Sequence, residues 1–165
     1  MSIEIKELKP EHWTDISRIY QEGIATGNAT FEQTCPDWEE WDKNHRKDCR
    51  MVVVYNNNII GWAALSDVST HCIYTGVGEV SIYVAEKSRG RGVGQFLLHE
   101  LIHKSEKKGI WTLQAEVFPE NENSIRLLKK CGFREVGKRD KIGKMNGRWR
   151  DIVLLERRSR EAGID

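Results

Sequence analysis

Apolar residues recur along this chain with two periods. Ile3 and Ile5, with Leu8 beyond them, alternate with polar neighbours, which predicts a first strand with one buried face that Pro10 closes. Trp13, Ile16, Ile19, Tyr20 and Ile24 then fall at helical spacing, and Gly23 and Gly27 mark where that helix loosens. Residues 26–32 are polar and read as a loop. Residues 36–41 open a second, short helix, with Pro36 early and Glu39 and Glu40 in the first turn. A β-branched run at 51–55, three asparagines at 56–58 and a second apolar run at 59–65 make a hairpin. After a longer connection at 66–78 comes a strand at 79–84, a glycine-rich turn at 89–94 and an amphipathic helix at 95–108 that Gly109 ends. Residues 111–118 form the next strand, stopped by Pro119. Asn121 and Ser124 cap a helix that runs to Lys130 and ends at Gly132. The last two strands, 133–139 and 149–156, are joined by a turn around Gly143 and Gly147. Two hairpins and one crossover of this kind require a mixed sheet flanked by helices.

Composition narrows the class. The 165 residues suit one buried domain, and 39% hydrophobic with 31% charged residues is ordinary for a globular chain. A formal net charge of +1 gives no global field for nucleic acid or a membrane surface, so neither is expected as a partner. Charge is uneven locally: between Arg126 and Arg150 ten Lys/Arg stand against two acids. That stretch is either a solvated basic face or a landing surface for phosphates. Cys35, Cys49, Cys72 and Cys131 lie far apart without C-x-x-C or zinc-finger spacing, so no metal is expected. No apolar signal core or membrane span is present, and a cytoplasmic location with reduced thiols is expected.

The chemistry concentrates at 79–95. A glycine-rich loop that leaves a strand and opens a helix offers unpaired backbone N–H groups to an anion, and the helix dipole adds partial positive charge there. Glycine lets the backbone approach phosphates closely and adopt positive φ. The loop is neither G-x-x-x-x-G-K-[ST] nor G-x-G-x-x-G, because its glycines stand at 90, 92 and 94. Glu116 does lie about where a dinucleotide fold places its ribose-binding acid. What the residues do match is R-x-x-G-x-G (Arg89, Gly92, Gly94) after an E-x-S-I-Y-V strand, followed by Asn121, Ser124, Gly132 and Phe133 in the pattern N-x-x-S-x-x-x-x-x-x-x-G-F. Together these resemble the GNAT acetyltransferase superfamily over nearly the whole chain. More narrowly, the run Ala29, Thr30, Phe31, Glu32, the position of Glu79, and Gly147-x-Trp149-x-Asp151 resemble its phosphinothricin and methionine sulfoximine acetyltransferase branch.

That resemblance implies one N-acetyltransferase domain over 1–165. Its fold would be α/β, with a mixed, mostly antiparallel sheet of six to seven strands splayed at its centre and flanked by about four helices. Acetyl-CoA would be the donor. Its pantetheine arm would lie along the backbone of Ile82, Tyr83 and Val84, and its diphosphate on Arg89, Gly90, Arg91, Gly92, Val93, Gly94 and Gln95, with Asn121 and Lys130 completing the site. Glu79 matches the family's glutamate and is the candidate general base. The Ile82 N–H is the candidate donor to the developing oxyanion. Phe31, Tyr74 and Trp149 would wall the acceptor, a small amine such as the amino group of phosphinothricin or methionine sulfoximine. The chain departs from its relatives at two positions. Leu128 stands where many members carry a tyrosine acid, so the thiolate would leave unaided. Thr75 stands where the branch has an arginine, leaving Arg150 or a partner subunit to hold an acceptor carboxylate. A homodimer is the assembly the resemblance implies. A coenzyme-A-binding regulatory module, an enzyme acting on proteins or peptides, and a nicotinamide-dinucleotide binder are the competing readings.

Overall fold

Two asparagine turns set the outer hairpins. The computed structural model describes residues 2–165. Asn56 and Asn57 both take positive φ, 49° and 63°, between the paired residues Tyr55 and Asn58. Asn146 and Gly147 do the same, at 51° and 75°, between Met145 and Arg148. Two successive left-handed residues match the right-handed twist of the strands they join, and Asn and Gly tolerate that conformation best.

The elements follow in the order β1 (Ile3–Glu7), α1 (Trp13–Ala25), α2 (Trp38–Asn44), β2 (Arg50–Tyr55), β3 (Asn58–Asp67), β4 (Val77–Val84), α3 (Val93–Lys107), β5 (Thr112–Val117), α4 (Glu122–Lys130), β6 (Arg134–Met145) and β7 (Arg148–Arg158). The seven strands form one sheet in the spatial order β1-β2-β3-β4-β5-β7-β6. All neighbours are antiparallel except β4 and β5. The mixed sheet with four helices is thus the expected one.

Some boundaries differ from the periodicity. Pro36 precedes α2, and Asp37 is its cap, its Oδ1 accepting the Glu40 N–H at 2.9 Å. The strand β6 runs on to Met145, past an irregularity between Arg139 and Gly143. Gly143 therefore lies in the strand and not in the turn. A Cβ there would stand 2.8 Å from the Phe31 ring, so glycine is what lets residue 31 pack on the hairpin.

Both faces of the central sheet are covered, which explains the unbroken apolar run of β3. On one face Leu97, Leu98 and Leu101 of α3 pack on Val53, Leu65 and Leu155. On the other, Ile16 and Ile19 of α1 and Trp41 of α2 pack on Val52, Trp62 and Ala64. Leu98 is fully buried, and Leu98→Ala is expected to cost about 2–5 kcal/mol in chemical denaturation, the lost transfer energy plus the cavity left behind. Among the described residues no helix is long and apolar enough to cross a membrane.

Candidate active site

The parallel pair is short. Strand β4 meets β5 only through Val77↔Thr112, Gly78↔Leu113 and Glu79↔Gln114. Gly76 seals the joined end, its carbonyl accepting from the N–H groups of Trp111 (2.8 Å) and Thr112 (3.1 Å). From Val80 onward β4 follows β3 to Val84, while β5 follows β7 to Val117, so the sheet opens between them. Which backbone groups face the opening follows from alternation along a strand. The Ala85 N–H donates to the Ile60 carbonyl of β3 at 2.8 Å, so the odd-numbered residues of β4 bond to β3. Val80, Ile82 and Val84 turn their N–H and C=O groups into the opening. The backbone of Tyr83, expected there, is instead directed to Trp62 of β3. The Val84 carbonyl already accepts from Arg89 Nε at 3.2 Å, which leaves Ile82 as the residue with both groups free near the middle of the opening.

At the end of this strand the chain makes its glycine turn. Gly90 and Gly92 have φ of 75° and 84°, which a side chain would strain. The helix α3 starts at Val93, two residues before the periodicity placed it. Among the described residues, the backbone N–H groups of 90–95 have no acceptor in the chain, as befits a turn and a helical first turn. A cavity of about 1000 Å³ runs from Glu79 along 80–84 to Arg89 and Gly90 and residues 92–95, closed on the far side by 115–118, Asn121, Leu128 and Lys130. Free donors, positive-φ glycines and a helix N-terminus fit a diphosphate, and the unpaired strand edge fits the amide arm behind it. Arg91 is exposed and stands outside these walls; Arg126, the first residue of the basic stretch, is on them. Asn121 caps α4 by accepting the Ser124 N–H at 3.3 Å and donates to the Asn28 carbonyl at 3.2 Å, so it braces the wall.

Glu79 sits at the last paired position, where the opening begins. It is half-buried, and Gln114, its register partner on β5, donates from Nε2 to Oε1 at 3.1 Å. Burial pushes the Glu79 carboxyl above its usual range, Glu116 adds to this, and the Gln114 bond opposes it. The glutamate borders the large cavity and also a second one of about 350 Å³, bounded by Thr30, Glu32, Trp41, His45 and Tyr83. Gln114→Leu removes the bond that favours the ionised form. The pH at which Glu79 ionises is therefore expected to rise, by about as much as the loss of one hydrogen bond to a carboxylate gives, which NMR titration of the side chain checks.

The aromatic residues expected around the acceptor divide. Phe31 borders the large cavity and packs edge-on against Phe118 at 4.8 Å. Tyr74 and Trp149 are 50% and 56% exposed and border neither cavity. Their place beside Glu79 is taken by Tyr20 and Tyr83, stacked at 4.8 Å, and by Trp41. Burial raises both phenols, Tyr20 to about 12, so both are neutral hydroxyls at physiological pH. Arg150 is also committed elsewhere: Nη2 reaches Asn28 Oδ1 at 2.8 Å, Nη1 the Gly27 carbonyl at 3.0 Å, and the guanidinium lies 3.9 Å over Phe118. It clamps the 26–32 loop to β7 and cannot at the same time hold an acceptor. Leu128 is buried and apolar on the cavity wall, so no proton donor stands at that position.

Residues 11–133 match the sequence model of the Acetyltransferase (GNAT) family. A phosphinothricin N-acetyltransferase of Alcaligenes faecalis is 30% identical over 164 residues, covering 93% of this chain and 81% of that one. An L-methionine sulfoximine/L-methionine sulfone acetyltransferase of Pseudomonas paraeruginosa is 26% identical over 162 residues, 94% of each chain. The crystal structure of a GNAT superfamily phosphinothricin acetyltransferase from Sinorhizobium meliloti in complex with AcCoA superposes with a TM-score of 0.90, at 26% identity, covering all of this chain and 92% of that one.

Proposed function

Because this chain belongs to the GNAT acetyltransferase family, we propose that it moves the acetyl group of acetyl-CoA directly to the amine of a small molecule, with Glu79 as the general base. The observation that carries this reading is the place of Glu79, on the seam between the opened sheet and a second cavity large enough for a small acceptor. Residues 1–165 work as one domain. Relatives named for phosphinothricin and methionine sulfoximine make amino-acid analogues the first acceptors to assay.

In this mechanism the N–H groups of 90–95, with Arg89, Arg126 and Lys130, hold the phosphates, and the Ile82 carbonyl and the Val84 N–H on the open edge of β4 bond the amide arm. The thioester is thereby aimed up the opening toward Glu79. An amine arrives protonated at neutral pH, and a carboxylate with a raised pKa removes that proton in place or through one water. The nitrogen lone pair attacks the thioester carbonyl, and the Ile82 N–H meets the charge that grows on its oxygen. The carbon–sulfur bond then breaks and sulfur leaves as thiolate, and the nitrogen, still carrying an extra proton from the attack, loses it to that thiolate or to water and becomes the neutral amide. Since a thiol has a pKa of roughly 8.5, it leaves tolerably without an acid.

The reading is tested by following free thiol released from acetyl-CoA across a panel of amines, with the product identified by mass. Release that depends on both amine and Glu79 supports it; intact acetyl-CoA binding without release from any amine favours a coenzyme-A-binding module instead. We place the protein in the cytoplasm as a homodimer. Exposed Ile73, Tyr74 and Trp149, large apolar side chains left uncovered by the protomer, support that assembly.

A further inference from the structure

The smaller cavity at Glu79 has walls of one electrostatic sign. Glu32 and Glu40 stand exposed at its mouth and Glu79 half-buried on its wall, and among the described residues no lysine or arginine lines it. His45 is the one other basic group on the wall. Burial lowers its pKa, so it is neutral near pH 7, and its Nδ1 lies 2.7 Å from the Trp41 carbonyl oxygen. Of the cations on the surrounding elements, Arg50 is engaged with Asp42 and the carbonyls of Asp42, His45 and Arg46, Arg18 with Asp15 and Glu22, and Arg150 with the 27–28 loop, while Lys43 of α2 and Lys47 after it do not line the cavity. The remaining walls carry no formal charge: aromatic rings from Tyr20, Tyr83 and Trp41, and polar side chains from Thr30, Thr34, Asn44, Ser66 and Ser81. The Trp41 indole N–H, on a ring 1% exposed, has no partner in the chain.

A carboxylate entering this space would meet three like charges and no counter-ion. A cation would be drawn by the same three carboxylates and by the aromatic faces. We propose that the cavity selects, as acetyl acceptor, a small amine bearing a second positively charged nitrogen, of the diamine class, over an amine bearing a carboxylate; this rests on the N-acetyltransferase reading above. The reacting nitrogen lies at Glu79 and gives it a proton. The second nitrogen stays protonated toward Glu32 and Glu40 at the mouth.

The test uses 1,4-diaminobutane and 4-aminobutanoate, which differ in the replacement of one ammonium group by a carboxylate. Thiol release is expected to give the diamine a kcat/KM higher by about tenfold or more, the size of two screened surface charges acting together. Glu40→Lys is expected to erase or invert that ratio. Glu32→Gln provides the same reading by removing a charge without reversing it, should the lysine variant fail to fold, folding being checked by the rise in Tm with acetyl-CoA. Equal or better turnover of 4-aminobutanoate or phosphinothricin overturns the proposal and leaves the acetyltransferase reading standing. No thiol release with any amine, while acetyl-CoA still raises Tm, overturns both.

Discussion

Glu79→Gln is expected to lower kcat/KM for acetyl transfer by about 10²–10⁴, the usual contribution of a positioned base, and to leave the acetyl-CoA Kd essentially unchanged. The substitution is isosteric, and the glutamine carbonyl still accepts from Gln114 Nε2, so the seam between β4 and β5 keeps its shape. What is lost is only the capacity to take a proton. The pH profile makes the assignment specific. Burial beside Glu116 raises the Glu79 pKa above that of a free carboxylate, so the ionised, working form declines as pH falls through that raised value. Wild-type kcat/KM should fall on the acid side accordingly, and the glutamine variant should lack that limb while sharing the slope set by the amine itself. Unchanged turnover in the variant would remove Glu79 from the mechanism and shift attention to a water held by the Ser81 and Tyr83 side of the cavity.

The parts of this site that were legible in the sequence are those where one backbone segment carries the whole signal. Gly92 and Gly94 between a strand and a helix announce an anion cradle because the geometry is local, and Asn121 announces a helix start for the same reason. The hairpin asparagines and the run of β3 were likewise local. The lining of the smaller cavity was not legible, because its members come from segments whose contacts depend on tertiary packing. The resemblance puts Tyr74 and Trp149 around Glu79, yet in the protomer both are exposed and line neither cavity, whereas Tyr20, which falls at helical spacing, and Trp41 line the smaller one. Trp41 and His45, four residues apart on one face of α2 and its end, were the available signal. Gln114 carried none, since a polar residue on a strand shows its partner only when the register is known. Gly143 was misplaced for a related reason: a glycine that makes room for Phe31 reads the same as a glycine that makes a turn.

Ile82→Pro is the substitution that tests the opened sheet itself, and it is expected to reduce kcat by about 10²–10³, the loss typical of one oxyanion donor. Proline removes a backbone N–H, which in a central strand would cost a ladder bond. Here alternation from the Ala85 to Ile60 bond directs the Ile82 N–H away from β3 and into the cavity, so no ladder bond is lost. Position 82 behaves as an edge position within a seven-stranded sheet. Ser81 before it is already extended, as a residue preceding proline must be. The fold should therefore survive at a cost of about 1–2 kcal/mol from the altered φ preference. Ile82 also packs its side chain against the α3 side of the core, and Ile82→Val separates that contribution: it should retain nearly full activity. A proline variant that folds and binds acetyl-CoA yet turns over slowly places the reacting carbonyl at this N–H. A proline variant as fast as wild type would mean that the thioester oxygen is stabilised elsewhere along the opening.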